Sequence, residues 1–358
     1  MKSAKDLIEK TFDEYEVEVI NFNIISRELK LFKLDFAILK GKGFHNLKRH
    51  LMCRKFAKEK IFGKKSKFMF TEKKLVEYLF KESPDIIITM MDVWNVNSNK
   101  EDAFPSPWWL NYHLPRTKKV AFSVSAHRSI EDEFNKMKDS ISKVLNDFKV
   151  IGARDTFTYK TIKSLDLNNI FLEMVPDMTF SYKIKQKKNL IYKIPLLNNK
   201  KLIGTAISDK TIGNTDFLNK YRKKGYKIIE TVGYSENADF NIGDILNPEE
   251  WAQVMGYFDL FITDKYHGTI FSLKNKTPVL SVDIYPEKNS KIYPLLKDFK
   301  LLDESYCDKY TDNNELISKI DYLLKDATNV KNKIHEGLLE KEAELLVSVQ
   351  KIRKILFN

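Results

Sequence analysis

The chain of 358 residues has only two cysteines, Cys53 and Cys307, and no apolar run long enough to cross a bilayer. So few thiols argue against a disulfide framework and point to a reducing compartment, the cytoplasm. The first twenty residues carry Lys5, Asp6, Glu9 and Lys10 and lack the apolar stretch of a secretory signal. Also missing are the phosphate loops G-x-x-x-x-G-K-[ST] and G-x-G-x-x-G, and the nucleophile elbow G-x-S-x-G. No Cys/His spacing suits zinc, so no metal site is expected.

What is present reads as a soluble globular protein. Hydrophobic residues make up 43% and charged residues 31%, and the length suits two domains, each able to bury a core. Lys and Arg number 61 against 49 Asp and Glu, a formal charge of +12. A basic surface favours anionic partners. Much of the excess is scattered lysine, as in Lys64-Lys65, Lys118-Lys119, Lys187-Lys188 and Lys200-Lys201. That pattern fits a solvated face better than a nucleic-acid groove, and no nucleic-acid partner is expected.

Periodicity divides the chain into alternating strands and helices. Ser3–Phe12 reads as a short amphipathic helix and VEVINF (Val17–Phe22) as a strand, with helical regions at about Asn46–Phe62 and at Lys73–Phe80. DIIITMM (Asp85–Met91) and VAFSVS (Val120–Ser125) are branched, apolar runs suited to strands buried on both faces. Ile130–Phe148 is helical, KVIGARD is a strand ending at Arg154, Thr156–Leu165 is helical, and Ile170–Val175 is a strand ending at Pro176-Asp177. After a lysine-rich stretch between Tyr182 and Lys201 the alternation restarts: KLIGTAIS, a helix over Thr215–Lys224, YKIIETV, a helix over Pro248–Tyr257, DLFITD, a helix from Gly268, and TPVLSVD. Asn329–Phe357 reads as a long amphipathic helix. Such alternation predicts two parallel sheets with right-handed crossovers, over residues 1–190 and 191–358, facing a cleft.

In parallel sheets, ligands bind beyond the carboxyl ends of the strands. His267 falls there, after DLFITD, followed by Gly268 and Thr269. The N–H groups of Gly268, Thr269 and Ile270 are expected to open a helix and, with Lys265 nearby, to suit a phosphate or carboxylate. An imidazole beside such an anion is placed to act as a general acid; the plain alternative is a histidine that caps a turn. Arg154 ends another strand, where it meets an anion or pairs with Asp155 or Asp177. Trp94, after the strand ending in DVWN, offers a ring for a sugar or fills the core. Ser125, His127 and Arg128 follow a further strand, where a second histidine has either a structural or a binding role. Trp108-Trp109 reads as loop packing.

Taken together, the segments VEVINF, DVWN, KKVAFSVSAHRS, GARDTFTYKTI, VPDMTF and PEEWAQVMGYFDLFITDKYHGTIFSLKNKTPVLSV, with Lys288 and Lys291 beyond, resemble the polysaccharide pyruvyl transferase family from about residue 15 to 300. The strand–D-x-x-H-G-T–helix block is the most specific of them. The resemblance implies a GT-B-like architecture of two Rossmann-like domains, the N-terminal one on the acceptor side and the C-terminal one on the donor side. It also implies transfer of a pyruvyl group from phosphoenolpyruvate to a sugar of a polysaccharide or lipid-linked glycan, with no cofactor beyond that donor. The setting implied is cell-envelope or exopolysaccharide synthesis, in the cytoplasm or peripherally at the inner membrane face. It marks His267 and Arg154 as catalytic, and Lys265, Gly268, Thr269, Lys288, Lys291, Trp94, Ser125 and His127 as substrate-binding. The rival enzyme reading is a GT-B glycosyltransferase using a nucleotide sugar, and the rival non-enzyme is a glycan-binding relative. Two departures stand out. Lys265 occupies a position where the family often has arginine, and the N-terminal domain is expected to lack its first strand.

Overall fold

The computed structural model describes residues 84–94, 116–126, 134–184, 189–198, 201–207, 217–286 and 290–357, with positions 7, 8, 10, 11, 109–111 and 114 besides. VEVINF, the helices expected at 46–62 and 73–80, and the question of a first strand lie outside the described residues. Two compact units emerge, each with its own parallel sheet.

In the first unit the strands run β1 (Ile86–Trp94), β2 (Lys118–Ala126), β3 (Phe148–Ala153) and β4 (Phe171–Met174), in spatial order β1-β2-β3-β4. β1–β2 and β2–β3 pair in parallel, as their apolar runs require. Every β2 residue from Lys119 onward is buried, so the strand is covered on both faces. Lys119 is accommodated because its Nζ donates to Leu110 O at 2.8 Å and pairs with Asp147 Oδ2 at 3.0 Å. The register slips between Ala121 and Val124, where Ser123 takes φ 55°, marking a bulge in mid-strand. Between strands lie α1 (Lys138–Leu145), which buries Ile141, Val144 and Leu145, and α2 (Thr156–Lys163).

The second unit follows with β5 (Leu202–Ala206), α3 (Phe217–Lys223), β6 (Lys227–Glu230), β7 (Phe240–Asn241), α4 (Pro248–Val254), β8 (Leu260–Thr263), α5 (Tyr266–Lys274) and β9 (Val279–Asp283). It closes with α6 (Ile292–Asp298), β10 (Tyr306–Asp308), α7 (Asn313–Lys325) and α8 (Ala327–Phe357), the last helix belonging to this unit as far as Lys351. α4 begins where Asn247 and Glu250 form a reciprocal capping box ahead of a proline in the first turn. The helix expected to reach Tyr257 tightens into a 3₁₀ turn at Met255–Tyr257.

The sheet order is β10-β9-β8-β5-β6-β7, with every pair parallel. The chain starts at β5, grows outward through β6 and β7, then returns to the other side of β5 and grows through β8, β9 and β10. That is a doubly wound sheet, and its direction reverses between β5 and β8.

The expected boundary at residue 190 shifts. Arg154–Phe157 and Met174–Lys351 belong to the second unit. The cause is packing beyond β4: Phe180 stacks on Phe299 at 6.0 Å, and Lys274 Nζ donates to Phe180 O. Among the described residues no helix is long and apolar enough to cross a membrane.

Candidate functional site

The sheet order reverses between β5 and β8, and sheets of this kind bind ligands outside the carboxyl ends of the strands at that point. Ala206 lies opposite Thr263 in the register. Thr263 Oγ1 donates to Ala206 O at 3.2 Å and accepts from Lys265 N at 3.0 Å, while Asp264 N donates to Ala206 O at 3.3 Å. The two strand ends are thereby tied, and only Asp264 and Lys265 separate β8 from α5.

That short connection changes the expected layout. The helix starts at Tyr266, two residues earlier than anticipated, with Lys265 as its extended N-cap. His267 therefore sits within the first helical turn. The N–H groups of that turn are those of Tyr266, His267 and Gly268, whereas Thr269 N already donates to Lys265 O at 3.0 Å. Thr269 is fully buried, its hydroxyl 2.8 Å from Ser281 Oγ on β9, so it anchors the helix to the sheet and faces no ligand. Gly268 serves close packing: a Cβ there would stand 2.5 Å from Thr263 Oγ1.

Behind His267 is a buried ion pair. Asp177 follows Pro176 and caps the 3₁₀ turn Met178–Ser181, its Oδ1 accepting from Thr179 N at 2.8 Å. Its Oδ2 accepts from Arg154 Nη1 at 2.8 Å and lies 3.8 Å from His267 Nε2. The Arg154 and Asp177 side chains are 4% and 1% exposed, but the imidazole is 44% exposed. Burial alone would raise the Asp177 pKa. Arg154 foremost, then His267 and the Thr179 bonds, outweigh it and hold the carboxyl below its ordinary value. Tyr266 completes the cluster, its ring 5.5 Å from Arg154 Cζ and 5.4 Å from the His267 ring.

The rest of α5 is aligned on the same segment. Phe271 meets Tyr182 edge-on at 6.3 Å, and the buried Lys274 reaches Phe180 O and, at 3.5 Å, Glu342. Chemically the arrangement is a solvent-facing imidazole backed by a buried carboxylate, itself fixed by a guanidinium and a backbone N–H. Such a group can hold and deliver a proton.

Other expectations fare differently. Of the pairings left open for Arg154, the bridge to Asp177 is present, so its charge is balanced in place. The Lys265 side chain is 42% exposed, and its Nζ pairs with Asp264 Oδ1 at 2.7 Å. Both cations thus carry an aspartate, and the site is less positive than its basic residues imply. Trp94 is corrected as a sugar platform: it is 1% exposed and stacks on Trp109 at 4.9 Å inside the first unit. Ser125 is likewise fully buried there. Lys291 occupies the N-cap position of α6, which follows β9, and its side chain makes no capping bond. Lys288 and His127 lie outside the described residues. Sequence reasoning treated Asp177 only as a possible partner of Arg154 and passed over Tyr266. The clue was the D-x-T pattern after Pro176, which predicts an aspartate pinned by the turn it caps.

A family model described as polysaccharide pyruvyl transferase matches residues 1–284. No curated protein sequence matches the chain. Among solved structures, a UDP-GlcNAc 2-epimerase from Neisseria meningitidis bound to UDP-GlcNAc is similar with TM-score 0.55 and 10% identity, over 80% of this chain and 79% of that one. One from Methanocaldococcus jannaschii in complex with UDP-GlcNAc and UDP gives 0.50 and 12%, over 84% and 87%. A trehalose-6-phosphate synthase gives 0.50 and 11%, over 79% and 75%. At these identities the likeness is one of fold: α/β units with parallel sheets, the GT-B-like class implied by the motifs.

Proposed function

The chain belongs to the polysaccharide pyruvyl transferase family, and we propose that it moves the pyruvyl group of phosphoenolpyruvate onto two hydroxyls of one sugar in a glycan, with His267 as the proton carrier. The observation that carries this reading is the exposed imidazole 3.8 Å from the buried Asp177 carboxylate, at the reversal point of the sheet. In the proposed sequence a protonated His267 delivers its proton to the methylene carbon of the enol, while electrons from the bridging oxygen stabilise the cation that forms next door. A sugar hydroxyl adds to that cationic carbon, the one bearing the carboxylate and the bridging oxygen, and its proton passes to the imidazole. The carbon–oxygen bond to phosphate then breaks, and inorganic phosphate leaves with the electron pair. A second hydroxyl of the same sugar attacks the cation so formed and closes the ketal, its proton passing to the departing phosphate. Asp177 stabilises the imidazolium, and Arg154 keeps that carboxylate ionised. Lys265 and the first N–H groups of α5 supply donors for the phosphate and carboxylate of the donor.

Incubation with phosphoenolpyruvate and a panel of sugars and lipid-linked glycans tests the proposal. The expected result is a product heavier by one pyruvyl ketal and an equal amount of inorganic phosphate. Consumption of a nucleotide sugar, with phosphoenolpyruvate untouched, would overturn it in favour of glycosyl transfer.

A further inference from the structure

The helix α8 carries apolar residues on two opposite sides. Val330, Ile334, Leu338, Leu345 and Val349 are buried and seat it on the molecule. Leu339, Leu346 and Val347 point the other way and are 57%, 47% and 51% exposed. With Ala343, also exposed, they fall at i, i+4, i+7 and i+8, the spacing that gathers side chains into one stripe of a helix. Single exposed apolar residues are ordinary, but a run of them along one face gains nothing from water and marks a surface for another body.

The charges beside the stripe indicate which body. Glu336 and Glu340 precede its centre, Lys351 and Lys354 follow it, and all four are exposed. At 3.6 residues per turn they share the flank of the stripe that holds Val347. A second α8 laid antiparallel sets Glu336 opposite Lys354 and Glu340 opposite Lys351. Both pairings centre on one level of the helix, Leu345-Leu346, where Leu346 and Val347 meet their own copies. A parallel copy would instead face glutamate with glutamate and lysine with lysine, and such flanking charges set the orientation of paired helices. An anionic membrane would attract only the lysine half of the stripe and repel the glutamate half. We propose that α8 joins two copies of this chain, packed antiparallel about a two-fold axis at the level of Leu345-Leu346. The pairing is independent of the reaction proposed above.

Sedimentation velocity of the full chain over a range of concentrations tests this. The wild type should pass from monomer to dimer as concentration rises, and its melting temperature should climb in step. Leu346→Glu sets a charge against its own copy and should weaken dimerisation by about a hundredfold or more. The side chain is exposed, so at low concentration the variant should melt with the wild type. Glu336→Lys and Lys354→Glu, each alone, should weaken the dimer by about two- to thirtyfold, because two exposed pairs are lost per dimer. The two reversals together should restore it, a rescue that only the antiparallel arrangement gives. A wild type that stays monomeric throughout, a dimer unmoved by Leu346→Glu, or a double reversal no better than the single ones would overturn the proposal. So would a monomer that binds vesicles of anionic and neutral lipid through Leu346, which would give the face to a membrane.

Discussion

In the proposed reaction His267 and Asp177 differ first in exposure, the imidazole being 44% and the carboxylate 1% exposed. The imidazole meets solvent, so replacing it should leave the core intact and stop proton delivery. We expect His267→Ala to lower turnover by on the order of 10²–10⁴ with an unchanged melting temperature; steady-state kinetics and a thermal melt on one preparation check both. Asp177 is the opposite case. Asp177→Asn leaves Arg154 buried without its counter-charge, which costs about 3–5 kcal/mol. Adding Arg154→Met should recover much of that stability but not activity. The pH dependence follows from the direction of the shift. The folded-state pKa of Asp177 lies below its ordinary value of 3.8. Its stabilisation is therefore complete above that value and is lost as pH falls through the lower folded-state one. Urea unfolding should show the gap between wild type and Asp177→Asn wide at pH 7 and shrinking below about pH 4.

At the scale of elements, α5 decides where the imidazole points. Its first turn is held by Thr263 and Lys265, its middle by Ser281 and Tyr182, and its end by Lys274 on Phe180 O. Gly268 is the tightest point. Alanine would gain about 1 kcal/mol of helix propensity, but its Cβ would meet Thr263 Oγ1 at 2.5 Å, on a side chain already bonded to two backbone groups. Overpacking of that kind costs about 1–3 kcal/mol, so the clash prevails. Gly268→Ala should lower the melting temperature and, by tilting the helix, turnover as well. A variant more stable than wild type would show that the contact is slack.

Across the whole molecule, the second unit behaves as a closed core around its sheet. Cys307 on β10 is 1% exposed, and burial pushes its thiol up to about 12. It should resist alkylation in the folded protein and react only as that unit opens in denaturant, as peptide mapping by mass spectrometry would show. Early labelling in buffer would indicate that β10 frays from the sheet. The overall charge of +12 does not gather at the site, where Arg154 and Lys265 each pair with an aspartate. In the proposed reaction, recognition of an anionic donor would fall to the first N–H groups of α5 and the cations beside them, not to the charge of the molecule.

The sequence by itself determined the class of fold and the neighbourhood of the site. Branched apolar runs such as LFIT and VLSVD can only be strands covered on both faces, and the D-x-x-H-G-T block follows one of them directly. Periodicity is a local property, and a histidine just past a buried strand is legible from it. Three things were not local. The start of α5 moved to Tyr266 because Thr263 bonds both Ala206 and Lys265, a contact between strands far apart in the chain. The choice of Asp177 for Arg154, and its second role beside His267, required three segments to meet at one oxygen. Trp94 was a ring after a strand until Trp109 closed over it. In each case the deciding energy was the burial of one group against another distant in sequence, and only the tertiary structure determines that pairing.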